Sequence, residues 1–577
     1  MPRNEPAKAA IDLMKADSRE ALIQRLDQAM SPMEHDQTLA FLADLLLTLQ
    51  ADRDHLKQRV ATLLATQFGR RSEKSSPDQL DLFAEILRIK AAAAAAADPV
   101  DEEADPATAA AAIIERTDAE IAALTAEKRA NRAKEHAARR AALELEGAQD
   151  ADSVPWPSHL PMREVILPVD AAHQDCDDCG VARQIIRYET SWRMEQTTTT
   201  EVVVTRRPVA ACPSHHGGPV TAPVPPKPVD KGQLGFSLAS RLLWLRCTHN
   251  LPVRRLAEML QAEGAPVSES MVHTLIRVSG ERVKPLVDAI QQAVQEAALV
   301  NLDDTPVDVY EGTGKGKRKR RRARMWLALG DERFAYFFST PGWKTADAKA
   351  ALGPITGVLQ GDGYKGFPRY ARESGVRLAG CMAHLRRKLR VAVAAKDPRA
   401  PPAMAFIQGM YRVEELARLR DLDTVGRLAL RQERSLPLMQ ALIGWAQAVA
   451  PTIVKGSPLG KAWTYLSNQL GPLQVFLSDG SVSIDNNAAE RDLRRITIGR
   501  KLWLFFRGQA KLGHVARLMS VVYTARLHGV DELAYLAWVL EQIARREWSA
   551  EAARQLLPAA WLALQEQKAK EVGAGQA

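Results

Sequence analysis

The chain is poor in cysteine, with 5 in 577 residues. So few thiols exclude a disulfide framework, and the pair in Cys176-x-x-Cys179 points to metal or redox use in a reducing compartment. No apolar run is long enough to span a bilayer, so no membrane partner is expected. The opening residues, MPRNEPAKAAIDLMKADSRE, lack the apolar core of a signal peptide, and the expected location is the cytoplasm. A strong excess of one charge is also missing: 78 Lys and Arg against 69 Asp and Glu leave a formal net charge of +9. The basic residues cluster, however, which makes an anionic polymer the natural partner. With 46% hydrophobic and 25% charged residues this is ordinary globular material, and the length predicts several domains.

Residues 1–88 read as N-terminal helices. Leu42, Leu49, Leu56 and Leu63 repeat every seven residues, and Leu39, Leu46, Arg53 and Val60 form the other seam of a short leucine zipper. Self-association, as a homodimer or higher oligomer, is favoured over packing on the same domain. Residues 89–153 form an Ala-, Glu- and Arg-rich linker, with a long solvated helix over Ala107–Leu145. The proline-rich VPWPSHLP marks a boundary, and residues 154–221 read as a zinc ribbon. Cys176 and Cys179, a strand-rich stretch that includes the alternating Thr197–Val209, then Cys212 and His215 suit a tetrahedral Cys3His site with structural Zn²⁺. His216 competes with His215 as fourth ligand, and a redox CxxC is the alternative. Cys247 and Cys381 read as buried single thiols.

Residues 222–295 are expected to be helical. Two short helices around a glycine turn at Gly264, the second capped by Ser268 or Ser270, have helix-turn-helix shape, which an ordinary helical hairpin shares. Then the texture changes. Leu299–Pro306 reads as an apolar strand ending in Asp303 and Asp304. The run Lys315–Arg324 holds eight Lys or Arg in ten residues and reads as a phosphate-contacting loop, with Lys315, Lys317, Arg318, Lys319, Arg320, Arg321 and Arg322 as candidate DNA contacts. Two further strands, a helix over Thr345–Leu352, a strand ending at Asp362 and another over Arg377–Cys381 follow. The segment from about Val391 to Ser478 is helical.

The stretch Ser483–Gly508, SIDNNAAERDLRRITIGRKLWLFFRG, reads as a helix capped by Asp485, with Asn486, Asn487, Glu490 and Arg494 on one face. Arg500, Lys501 and Trp503 follow. Alone, this is a solvated helix with a Glu490–Arg494 pair. Together, Asp303, Asp362 and Glu490 occur in the order of a ribonuclease H-like α/β fold: strand hairpin, crossover helix, strand, strand and late helix. In that fold three carboxylates converge on two Mg²⁺ roughly 3.5–4 Å apart for in-line phosphodiester chemistry. Asp304 competes with Asp303, because strand neighbours face opposite ways.

DDTP at Asp303–Pro306, LQGDGY at Leu359–Tyr364, CMAHLRRK at Cys381–Lys388 and DNNAAERDLRRITIGRKLWLF at Asp485–Phe505 together resemble the catalytic domain of IS66-family DDE transposases. Upstream, FGRRSEK, CxxCG and HNLPVRRLAEMLQAEG agree, so the resemblance runs from about Leu39 to Leu557. It implies Asp303, Asp362 and Glu490 as catalytic, Mg²⁺-binding residues. It also implies a core over 296–390 and 481–530, an all-helical insertion over 391–480 and C-terminal helices over 531–577. The implied function is end cleavage and 3′-OH strand transfer on double-stranded DNA in a bacterial nucleoid, with small accessory proteins as further partners. Arg386, Arg387, Arg494, Arg500 and Lys501 would hold flanking phosphates, and Trp503 would stack on a base or lie in the core. Cys381 and His384 resemble a CxxH signature without a settled role. This chain has Asp304 where the family tends to have Glu, and Leu502 where it tends to have Asn. The alternatives are a non-catalytic, zinc-containing DNA-binding regulator and a nuclease without strand transfer.

Overall fold

The structure, a computed structural model, describes residues 106–147, 200–207, 209–210, 220–221, 223–312, 319–364 and 366–574. The heptads of Leu39–Leu63, the zinc ligands Cys176, Cys179, Cys212 and His215 with the competing His216, and Lys315, Lys317 and Arg318 lie outside the described residues. The chain divides into two units, residues 122–206 with 263–265, and the remainder. In the smaller unit, residues 122–147 continue helix α1 (Pro106–Gly147), and residues 200–206 are exposed chain without sheet partners. Of the alternating strand expected over Thr197–Val209, residues 200–207 are not in strand conformation. Among the described residues, Val202, Val203 and Val204 are 90%, 76% and 73% exposed. Only β1 (Val209–Ala210) pairs, with β2 (Val220–Thr221), and both belong to the larger unit.

The larger unit next builds four helices: α2 (Phe236–Thr248), α3 (Val253–Ala262), α4 (Glu269–Arg282) and α5 (Lys284–Gln295). Ser268 caps α4 by accepting the Met271 N–H, as its hydroxyl predicts. A mixed sheet follows, made of β3 (Leu299–Glu311), β4 (Lys319–Gly330) and β5 (Phe334–Thr340), then α6 (Thr345–Leu352), β6 (Val358–Gly361), α7 (Gly366–Ser374) and β7 (Arg377–Ala379). The strand order is β5-β4-β3-β6-β7. The β3–β4–β5 pairs are antiparallel, while β3–β6 and β6–β7 are parallel.

β3 runs farther than expected. Leu299–Leu302 is buried throughout, as an apolar run covered on both faces should be. Beyond Asp304 the pattern alternates, with Thr305, Val307 and Val309 buried. The second half is held by β4, whose Lys319–Arg322 pairs with Asp308–Glu311. These basic residues are thus on a strand and not in the loop expected for the run Lys315–Arg324. Opposite charge across the ladder accounts for it: Arg320 bonds Asp308 at 2.7 Å and Arg321 bonds Glu311 at 3.2 Å.

A helical insertion follows: α8 (Met382–Ala394), α9 (Ala400–Leu419), α10 (Thr424–Leu430), a π turn at Arg431–Ser435, α11 (Leu436–Val449) and α12 (Pro458–Gln474). Its apolar core includes Leu385, Leu389, Ile407, Met410, Leu438, Leu442 and Leu466, and Ala110 of α1 joins it. Arg431, fully buried, donates to both oxygens of Glu414 and to the carbonyls of Phe476, Asp479 and Val482. Satisfying all of those acceptors with one guanidinium fixes the segment that leads to the next helix.

That helix is α13 (Asn487–Trp503), followed by β8 (Phe505–Arg507), α14 (Gln509–Leu527), α15 (Glu532–Arg545) and α16 (Pro558–Ala574). α13 starts one residue later than expected, with Asn486 at its cap position. Asp485 acts from outside it, accepting the Asn487 N–H at 3.0 Å and the Tyr411 hydroxyl at 2.7 Å. β8 pairs parallel to Asp308–Tyr310 of β3. On the edge facing β6 and β8, β3 is therefore paired at Leu299–Leu302 and again at Asp308–Tyr310, with Asp303–Val307 between the two ladders. α14 covers the outer strand β5: Ser520 and Thr524 hydroxyls accept the Phe337 and Ala335 N–H groups at 2.8 and 3.1 Å.

Candidate active site

Asp303 is the first residue of β3 beyond its ladder with β6, where Leu302 faces Gly361. Asp362 follows Gly361, the last residue of β6. Both acids thus stand at the carboxyl ends of a parallel strand pair, the end of an α/β sheet at which ligands bind. Glu490 lies in the first turn of α13.

The Asp303 carboxyl is pushed up to about 8, first by burial and then by the charges of Asp362, Glu490 and Asp304, against a bond from the Asp304 N–H. Charges from two distant segments therefore act on Asp303. Asp303 Oδ1 accepts that N–H at 2.8 Å, and Asp362 Oδ1 accepts the Tyr364 N–H at 2.9 Å. Glu490 meets two side chains from α8: Arg387 Nη2 is 3.1 Å from Oε2, and His384 Nδ1 is 3.4 Å from Oε1.

Asp304 faces elsewhere. It accepts from Arg324 Nη1 at 2.8 Å and from the Trp343 indole at 3.2 Å. Arg324 also lies over the Trp343 ring, 4.2 Å from its centroid, and Trp343 stacks on Tyr364 at 4.6 Å.

This region coincides with what the chain shares with known proteins. The family described as "Transposase IS66 family" matches residues 231–512, which include all three acids. "IS66 C-terminal element" matches residues 520–559, and "Transposase C of IS166 homeodomain" matches residues 55–165. The chain belongs to the IS66 transposase family. Among its relatives in Sinorhizobium fredii (strain NBRC 101917 / NGR234), "Uncharacterized protein y4jD" is 28% identical over 439 residues, 72% of this chain and 82% of the relative. "Uncharacterized protein y4hP" is 26% identical over 415 residues, 68% of this chain and 74% of the relative. "Uncharacterized protein y4qI" is 28% identical over 415 residues, 69% of this chain and 75% of the relative.

In this IS66-family chain the other predicted residues have varied surroundings. Arg494 and Lys501 are exposed on α13. Arg500 turns inward, donating to Thr305 Oγ1 and Pro306 O at 3.0 Å each, in the interval between the two ladders on β3. Trp503 is half-buried, with Arg246 5.3 Å from its centroid and Phe506 edge-on at 4.8 Å. Arg386 lies over the Tyr411 ring at 4.4 Å.

Cys381, His384 and Glu490 offer three metal-ligating atoms within 4.8 Å of one another. The Arg387 guanidinium already bridges two of them, reaching His384 Nε2 at 3.2 Å as well as Glu490. Cys381 is buried, its thiol pushed up to about 12 by that burial, and its sulfur accepts the Asn486 N–H at 3.2 Å.

Sequence reasoning missed the strand β8, the Arg387–Glu490 pair and the buried side chains of Asn301 and Gln360. A signal for the last two was present: each is a lone polar residue inside an apolar strand, LVNL and VLQG.

Proposed function

We propose that this chain is a DNA transposase that cuts at the ends of its element and joins the freed 3′-OH to target DNA. Asp303, Asp362 and Glu490 are its catalytic carboxylates. The observation that carries the reading is the placement of Asp303 and Asp362 at the carboxyl ends of a parallel strand pair, with the helix of Glu490 tied to the same point of β3 through the Asn486–Leu302 bond, within the stretch that matches the family. The antiparallel β3–β4–β5 unit joined to parallel β6 and β7 supports a ribonuclease H-like core.

The donor set fits a hard divalent cation. Three carboxylates supply oxygen ligands, and the repulsion that raises Asp303 is what such a cation would relieve. Asp303, Asp362 and Glu490 would hold Mg²⁺, which when bound stabilises charge on the phosphoryl oxygens and on the attacking and leaving groups. Asp303 and Asp362 stand at the carboxyl ends of a parallel strand pair, the end of the sheet at which a phosphodiester can approach. Arg494 and Lys501, exposed on the helix of Glu490, bind the flanking phosphates and hold the strand in register. Arg387 shifts between Glu490 and phosphate. Cys176, Cys179, Cys212 and His215 would hold Zn²⁺ in a structural role, and the N-terminal heptads would join copies of the chain.

An end-cleavage assay tests the assignment. Glu490→Gln keeps size and loses charge, so cleavage should fall at least about a hundredfold; full activity would remove Glu490 from the mechanism. Supplying a pre-cut end with a 3′-OH and scoring joined product separates a transposase from a nuclease.

A further inference from the structure

Beneath the carboxylates lies a layer of amides. Asn301 Nδ2 donates to Gln360 Oε1 at 2.9 Å and to Asn486 Oδ1 at 3.0 Å. Gln360 Nε2 donates to the carbonyls of Gly380 at 3.0 Å and Ser483 at 2.7 Å. Asn486 Nδ2 donates to Leu302 O at 3.1 Å. The three side chains are 1%, 0% and 0% exposed. Reversing the Asn301 amide would set its oxygen against two other oxygens, so the network has one orientation.

Each amide stands one structural repeat before an acid. Asn301 and Asp303 are two apart on β3, Gln360 and Asp362 are two apart where β6 ends, and Asn486 and Glu490 are four apart at the start of α13. Residues two apart share a face of a strand, and residues four apart share a face of a helix. We propose that Asn301, Gln360 and Asn486 are positioning residues, a buried template that fixes the mutual spacing of Asp303, Asp362 and Glu490 and thereby their affinity for a divalent cation. Apolar side chains would fill the same space but impose no direction, whereas these directed amide donors, with Asn301 Oδ1 alone lacking a partner, accept one alignment of two strands and a helix. The Asn486 N–H bond to Cys381 and the Gln360 bond to Gly380 O extend that alignment to the start of α8.

The inference rests on the carboxylate assignment above, and its test separates the two. Mn²⁺ binding to the full chain is read by electron paramagnetic resonance of the free ion. Circular dichroism and melting temperature report folding. The variants are Asn301→Leu and Gln360→Met, close in volume to the residues replaced, and Asn486→Ala. Those that keep the wild-type spectrum and a cooperative melt should bind Mn²⁺ at least about tenfold more weakly, the usual effect of removing a group that orients a ligand. Unchanged Mn²⁺ affinity in the folded variants overturns the inference. Failure of all three to fold also overturns it, since the network would then serve the core alone. Asp303→Asn is the control. If it leaves Mn²⁺ binding intact, the carboxylate assignment itself fails and takes the inference with it.

Discussion

Arg387 and Glu490 form an ion pair between α8 and α13, Nη2 to Oε2 at 3.1 Å, across 103 residues of sequence. In this structure the third acid of the cluster thus has a cation supplied by the protein itself. A divalent ion held by Glu490, as proposed, would have to compete with that guanidinium.

Replacing Arg387 by Met removes that competitor. The pair is partly exposed, so the gain is modest: apparent Mn²⁺ affinity should rise about threefold. A titration of free Mn²⁺ without DNA reads this directly. A fall in affinity would mean that Arg387 organises the acid instead of competing for it.

Asp303 predicts an unusual pH dependence. Its folded value, about 8, lies above the ordinary 3.8, so the stability it contributes is fully present below the ordinary carboxylate value. That contribution is lost as pH rises through about 8. Without divalent ions, the melting temperature should fall between pH 5 and 8.5. Asp303→Asn should flatten the fall, and Mg²⁺ should offset it at the alkaline end. Equal slopes for wild type and Asp303→Asn would refute this account.

Arg324 serves Asp304, and both side chains are largely buried, at 18% and 11% exposure. Burial raises the Asp304 carboxyl, and Arg324 lowers it. Arg324→Met would leave Asp304 without its guanidinium and Trp343 without its cation. A loss of about 3 kcal/mol in urea unfolding is expected, the scale for breaking a buried pair. Arg324→Met with Asp304→Asn should recover part of it.

The N-terminal part of α1 is fastened to the helical insertion by Arg434, which is 2% exposed and reaches Thr117 at 3.2 Å and Glu120 at 2.9 Å. Hydrogen bonding from Arg434 holds the Glu120 carboxyl below its ordinary value. Glu120→Gln should cost about 2 kcal/mol, because one partner of the buried guanidinium loses its charge. Protease nicking of the helix around Arg116 should accelerate in proportion.

Much of this architecture was legible in the sequence. The helix Thr345–Leu352 matches its expected bounds, the Ser268 cap is formed, and the segment after Val391 is helical as read. These features depend on local periodicity and capping chemistry. β8 did not declare itself, because three residues carry no period, and its partner lies almost two hundred positions upstream. The second half of β3 was hidden by its charges, which signal a loop until Arg320 and Arg321 are seen to pair diagonally across the ladder with Asp308 and Glu311. The acids could be named from spacing and resemblance, but the counter-ion of Glu490 could not, since no local pattern links residues 387 and 490.

The helix carrying Glu490 is anchored to β3 at both extremities. Asn486 grips Leu302 O at its start, Arg500 grips Pro306 O in its last turn, and β8 then joins the ladder at Asp308. Strand and helix therefore translate as a single piece, and Asp303 cannot drift from Glu490 without breaking bonds at two well-separated points. Whatever accommodation an incoming duplex demands must be absorbed elsewhere in the protein.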